Sequence, residues 1–417
     1  MKNTNLFTII TKFLVIILPF YVIISLFLTN ILHIPMAGFF IKEFALVLLF
    51  GSLAFEYIKD KKIPKFDLLD YLVFSFILYG VIITFANGLG LKSIIFGGRY
   101  DFMFLVVMLI FKNSGNYLKI SLKKLLELFL YSGFFAILLS SIFKFAIGEK
   151  YLLNFGFVNY SGSWIYSGGV PNYHGLEATG IKRFQGIFDG PNPMAYFLII
   201  YSFIFLYMQK NKKEYYVFLS LAVLFWFLIL TYSRSALLGV FSSIGLIFLL
   251  DFKRLFKKYK KTLSILVFLA LIFSLVFGYI FRDSFKNIIL RHGSTSGHFE
   301  RMEIGLKRFA KKPLGAGLAE AGPAFRSIYP DKQTKKDEVY YIPESWYIQI
   351  LIEGGIIYFL LFLAILLLIL KGLFFESKII FSMFLAILVM NVFLHIFEST
   401  YLSILLFIFI GLFLKKE

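Results

Sequence analysis

The chain has no cysteine, which excludes disulfides, thiolate metal sites and cysteine nucleophiles. Charge is scarce: 16% of the 417 residues are Asp, Glu, Lys or Arg, against about a quarter in ordinary soluble domains. There is no P-loop and no dinucleotide-binding glycine motif in a soluble setting, so no nucleotide energy source is indicated. No internal repeat and no low-complexity tract stands out. Of five histidines, His292 and His298 stand six apart in a glycine-rich stretch, which is not a usual metal spacing. His33 and His395 are lone residues near helix ends.

What is abundant is apolar. Hydrophobic residues make up 59% of the chain and aromatics 20%, with 55 phenylalanines. A soluble domain could not bury so much apolar surface, whereas a bilayer solvates it. A span needs roughly 20 apolar residues at 1.5 Å each. Runs of that kind fall near 13–31, 38–58, 68–87, 92–111, 125–147, 193–209, 215–232, 235–250, 262–281, 346–370, 378–397 and 401–414. The expected fold is therefore an all-α polytopic membrane protein, one membrane domain over 1–417 with about twelve transmembrane helices. The first run, Phe13 to Leu28, lacks a small-residue cleavage site and is expected to stay as an uncleaved helix.

Net charge is +19. In a soluble protein that would suggest nucleic acid, but here the lysines sit in short connections between apolar runs. KDKKIPK (59–65), KNSGNYLKISLKK (112–124), QKNKKE (209–214), DFKRLFKKYKK (251–261), KGLFFESK (371–378) and the terminal KKE all fall on one side. That asymmetry places both termini in the cytoplasm. It also sends two long segments, 149–192 and 282–344, to the outside. Loops of that length without structure are uncommon unless functional. Within the second, ERMEIGLKRFAKK (300–312) has the apolar spacing of a short amphipathic helix at the interface.

Arginine is distributed differently. Of nine arginines only Arg254 lies in an inside connection; Arg99, Arg183, Arg234, Arg282, Arg291, Arg301, Arg308 and Arg326 lie outside or at outer helix ends. Guanidinium grips phosphate with a planar fork, whereas lysine is a hydrated point charge. Arginine kept outside suggests an anionic, phosphate-bearing substrate there. Arg282, Arg308 and Arg326 are expected to pair locally instead. Arg234, in TYSRSALLG between two apolar runs with no acidic neighbour in sequence, is the sharpest functional candidate. His174, Tyr160, Trp164 and Tyr166 of the first outer loop could stack on sugar rings, with interfacial anchoring as the simpler role.

Three stretches then stand in order: RFQGIFDGPNPMA (183–195), TYSRSALLGVF (231–241), and PLGAGL (313–318) followed by PESWYIQILIEGGIIY (343–358). In this combination the chain resembles the O-antigen ligase and Wzy-type polysaccharide polymerase superfamily. The resemblance covers about Arg183 to Tyr358. Ligases of that superfamily close on a histidine, then Asn, Ser or Gln, nine residues, Gly, two residues, and Gly, Thr or Tyr. Ser345, Gly355 and Tyr358 fit that spacing, while Glu344 stands in the histidine position.

The resemblance implies a glycosyltransferase of the polymerase type, acting on undecaprenyl-diphosphate-linked repeat units in a bacterial plasma membrane. Glu344 would take the proton of the acceptor hydroxyl if burial raises its pKa; against this, a carboxylate there could simply favour the first turn of the helix that follows. Arg183 and Arg234 would hold the departing diphosphate. Arg291, Arg301, His298, Ser345, Tyr232 and Arg99 complete the expected substrate-binding set. No metal and no cofactor is expected. Expected partners are the lipid-linked glycans, the bilayer, a chain-length regulator and a flippase, but no nucleic acid. A ligase passing finished glycan to another acceptor is the nearest alternative. A flippase or transporter of the same lipids is the alternative of another class.

Overall fold

A computed structural model describes residues 5–34, 37–160, 169–176, 180–209, 214–250, 292–332 and 334–415. Among these there is no strand, only two isolated bridges, Val158–Pro171 and Gly175–Lys182. The helices are α1 (Leu6–Ile31), α2 (Ala37–Lys59), α3 (Leu68–Ala86), α4 (Leu91–Asp101), α5 (Met103–Lys112), α6 (Leu122–Ala146), α7 (Pro191–Met208), α8 (Glu214–Leu230) and α9 (Arg234–Leu250). After the gap come α10 (His292–Lys311), α11 (Gly322–Ile328), α12 (Lys335–Tyr341), α13 (Trp346–Glu376), α14 (Lys378–Phe393) and α15 (Thr400–Phe413).

Five of these helices (α1, α3, α6, α7 and α13) are long and apolar enough to cross a membrane. The number is six if α4 and α5, bent by 58° at their junction, form one span. Helices α8, α9, α14 and α15 are apolar but shorter. The expected count of about twelve is therefore not reproduced by length among the described residues, and the expected span at 262–281 lies outside them. For α15 the shortness is explained by where it sits. Every residue of α15 is buried, so its ends meet protein rather than lipid. A helix enclosed by others need not match the hydrocarbon thickness.

α15 packs along α5, α14 lies between α9 and α13, and α13 packs on α3. At one end of the bundle the chain ties its lysine-rich turns down by charge. Asp67 caps α3 in a reciprocal box with Asp70. The buried Lys112 ammonium donates to Asp70 Oδ2 at 2.6 Å and lies 3.1 Å from Asp67 Oδ1. Gln209 follows the last turn of α7, and Lys371 lies near the end of α13. Both are at the ends of their helices opposite to the first turns at Pro191 and Trp346.

α13 is interrupted at Gly355, whose φ of 72° and ψ of −166° break the helix. The freed backbone groups are taken by the loop that follows α10. Ile356 N donates to Pro313 O at 3.0 Å, while Ala316 N and Gly317 N donate to Ile352 O and Glu353 O at 2.9 and 2.8 Å. The two parts of the third sequence block are thus one interlocked structure. Tyr358, one turn on, is fully buried, stacks on Phe76 and donates its hydroxyl to Asp101 Oδ2 at 3.1 Å.

The amphipathic helix α10 is longer than its pattern at 300–312 suggests, beginning at His292. Propensity reads the Gly–Ser–Thr stretch as loop, and the fold overrides it. Met302 and Phe309 do form its apolar face, against Ala321, Ile348 and Ile352. Gly305 is what lets it approach: a Cβ there would meet Ile348 Cγ2 at 2.7 Å and Pro343 Cβ at 2.8 Å.

Candidate active site

The segment leading into α7 is fixed by an amide. Gln185 is buried and donates to Pro171 O at 2.8 Å and Phe188 O at 3.0 Å, while its Oε1 meets His174 Nδ1 at 2.5 Å. Phe184 N donates to Leu230 O at 2.8 Å, so the stretch containing Arg183 lies against the α8–α9 junction. Arg183 Nε then donates to Thr231 O at 2.8 Å and its Nη2 to Asn192 Oδ1 at 3.0 Å. Three short backbone segments hold this guanidinium in place.

The α8–α9 junction is itself strained. Tyr232 has φ of 50°, a left-handed conformation that costs a non-glycine residue on the order of 1 kcal/mol or more. That sharp turn brings Ser233, Arg234 and Ser235 into the wall of a cavity of about 310 Å³, with Arg183, Asn192, Tyr232, His298 and Met302. Arg234 opens α9, so the positive end of that helix also faces this region.

Glu344 is the second left-handed residue at the site, with φ of 53°. Its Oε1 accepts from Arg301 Nη1 at 2.6 Å. Its Oε2 lies 3.3 Å from His298 Nδ1, close enough for charge attraction but without the alignment of a hydrogen bond. Burial pushes the carboxyl pKa up, but His298, His395 and Arg301 together outweigh it and hold Glu344 below its ordinary value. This corrects the expectation of a raised pKa. Sequence neighbours could not foretell it, because the Arg301 guanidinium arrives from a helix 43 residues away.

Glu344 lines a second cavity, of about 400 Å³, with Tyr100, His174, Asp189, Pro323, Arg326, His395, Glu398 and Ser399. Arg183, Asn192 and Leu394 belong to both walls, so the two cavities adjoin. Each is of the size that holds a small ligand or part of a larger one.

The structure thus brings Arg183, Arg234, Tyr232 and His298 to one cavity and Arg183 and Glu344 to the other, with Arg301 bound to Glu344. Ser345 is buried, 2% exposed, and lines neither. Arg99 lines neither, and its Nε lies 2.9 Å from Glu43 Oε1. Arg291 lies outside the described residues, as do Arg282, Trp164 and Tyr166. Arg308 is a clamp: it donates to Glu320 O at 2.8 Å and covers the rings of Tyr340 and Tyr341.

Sequence reasoning passed over Asp189 and Glu398, read His395 as a lone residue near a helix end, and set Arg326 aside as a local ion pair. Asp189 stood within a quoted motif and was the one legible signal. The other three are brought in by tertiary packing alone. Among the described residues no three His, Asp or Glu side chains are grouped to hold a metal ion.

Residues 217–363 match a family model described as O-antigen ligase. The match supports the O-antigen ligase/Wzy-type superfamily for this chain. It covers the junction with Tyr232 and Arg234, the outer helix with His298 and Arg301, and the stretch from Glu344 to Tyr358. A search of curated proteins finds no match. At the level of the family, the O-antigen ligase domain and the apolar helices describe a membrane enzyme of the ligase or polymerase kind.

Proposed function

We propose that this O-antigen ligase-like protein is a membrane glycosyltransferase of the polymerase type. It moves a growing glycan from undecaprenyl diphosphate onto a second undecaprenyl-diphosphate-linked repeat unit, building O-antigen, capsule or exopolysaccharide. The observation that carries this reading is the pair of adjoining cavities whose common wall is Arg183. The donor's diphosphate occupies the cavity with Arg183, Arg234 and the first turn of α9. The acceptor sugar occupies the cavity with Glu344.

As the anomeric C–O bond breaks, charge gathers on the leaving diphosphate, and positioned guanidinium groups and helix N–H groups stabilise that charge. Energy is stored in the donor, which suits a compartment without nucleotide. Glu344 holds Arg301 in place behind the acceptor cavity and lies beside His298 of the donor cavity. With the lysine-rich turns in the cytoplasm of a bacterium, both cavities open away from it. A chain-length regulator and a flippase supplying the donor are the proposed protein partners.

Glu344 in the place of the ligase histidine favours polymerase over ligase. The test is reconstitution. Purified protein with lipid-linked repeat units in detergent should yield longer glycans still bound to polyprenyl diphosphate, with no membrane potential. Glycan transferred to a different acceptor would mark a ligase. Unchanged donor would leave only a transporter.

A further inference from the structure

Three carboxylates line the acceptor cavity, and they are not equivalent. Glu344 has one oxygen bonded to Arg301 and the other 3.3 Å from His298 Nδ1, so a proton arriving there must compete with the guanidinium. Glu398 lies on the short turn before α15. Asp189 is partly buried, and its Oδ1 accepts from Tyr401 Oη at 2.8 Å. Among the described residues no cation pairs with it, although Arg183 and Arg326 line the same cavity.

Its position is rigid. Asp189 precedes Gly190 and Pro191, which start α7, yet its side chain does not cap that helix. Tyr401 belongs to the wholly buried α15 and stacks on Tyr21 with ring centroids 5.4 Å apart. Asp189 also shares one short segment with Arg183 and Asn192, two of the three residues common to both cavities. A carboxylate there stands on the acceptor's side of the bond to be made, beside the group that holds the donor's phosphate.

We propose that Asp189 is the catalytic residue that takes the proton from the acceptor hydroxyl. The inference rests on the glycosyl-transfer reading above. The acceptor oxygen bonds to the anomeric carbon and its proton passes to an Asp189 carboxylate oxygen. The anomeric C–O bond to phosphate breaks, and its electron pair leaves with the polyprenyl diphosphate. Asp189 then loses the proton to water. Burial, partly offset by the Tyr401 hydroxyl, lifts this carboxyl to about 6, closer to neutrality than an ordinary aspartate and better matched to accepting a proton there.

The experiment is steady-state elongation of a lipid-linked repeat unit by the full-length protein in detergent, from pH 5 to 9. Asp189→Asn should lower kcat by about 100-fold or more while leaving the donor KM within about threefold. In the wild type kcat/KM should rise along an acid limb centred near 6. Tyr401→Phe should move that limb upward, because the carboxylate loses a hydrogen bond, and Glu344→Gln should leave its midpoint in place. The Tyr401→Phe profile carries the test if Asp189→Asn does not fold.

Turnover of Asp189→Asn within about tenfold of wild type overturns the proposal. So does a limb that responds to Glu344→Gln and not to Tyr401→Phe. A wild-type protein that leaves the donor intact overturns the transfer reading, and this inference with it.

Discussion

Arg301 Nη1 and Glu344 Oε1 meet at 2.6 Å although 43 residues separate them in the chain. The contact joins the outer helix α10 to the start of α13, and both side chains are about one-fifth exposed. It also helps hold the Glu344 carboxyl below its ordinary pKa.

Removing one partner leaves a largely buried charge uncompensated. Arg301→Ala should destabilise the protein by about 2–3 kcal/mol, less than a fully buried pair because solvent still reaches it. Arg301→Ala with Glu344→Gln should recover part of that loss. Thermal unfolding in detergent decides; a double variant no more stable than the single one contradicts the pairing.

Arg234→Lys keeps the charge at the α9 terminus and removes the planar fork. Turnover should fall by about tenfold or more at equal expression, because one ammonium cannot grip two phosphate oxygens. Lysine restoring full elongation would leave Arg234 with a purely electrostatic role.

His395 is 5% exposed, and its Nε2 is buried without a hydrogen-bond partner. Burial pushes its pKa down to about 4, with Glu344 pulling the other way. An unfolded histidine takes up a proton near 6.5 while the folded one stays neutral. Its contribution is therefore full above about 6.5 and is lost as pH falls toward 4. The loss is about 3 kcal/mol across that window. His395→Gln should flatten the acid-side fall in thermal stability by that amount. Asp189 acts in the opposite sense, costing stability as pH rises through about 6, so the variant must be read against wild type at each pH.

Gly355→Ala should destabilise the fold by more than about 2 kcal/mol. Its φ is left-handed, and a Cβ would run into Leu314 C and Pro313 O, which are backbone atoms that cannot move aside. The measurable outcome is a smaller monodisperse fraction after detergent extraction. Gly51→Ala, in open space on α2, is the control.

How much of this was legible in the sequence follows from the range of the forces involved. Apolar runs and the break at Pro191 are local, and among the described residues helices appear where those runs lie. The span count is not local: α15 is too short to cross alone, and only its enclosure by neighbours explains it. Arg183, Arg234 and Glu344, each in a compact motif, line the two cavities. Ser345, named by the same route, lies at a buried helix start away from both. Arg99 read as an outward phosphate ligand, but Glu43, far earlier in the chain, pairs with it. His395, Arg326 and Glu398 carry no pattern of their own; α11 and the turn before α15 bring them to the cavity.

The interlock at Gly355 bears on how the molecule is assembled. Until Pro313–Gly317 docks, α13 carries carbonyls at Ile352 and Glu353 and an amide at Ile356 that its own coil cannot satisfy. Within lipid each such group costs several kcal/mol. The segment 313–317 precedes α13 in the chain and is made before it. Insertion of that helix and docking of this loop thus become a single event.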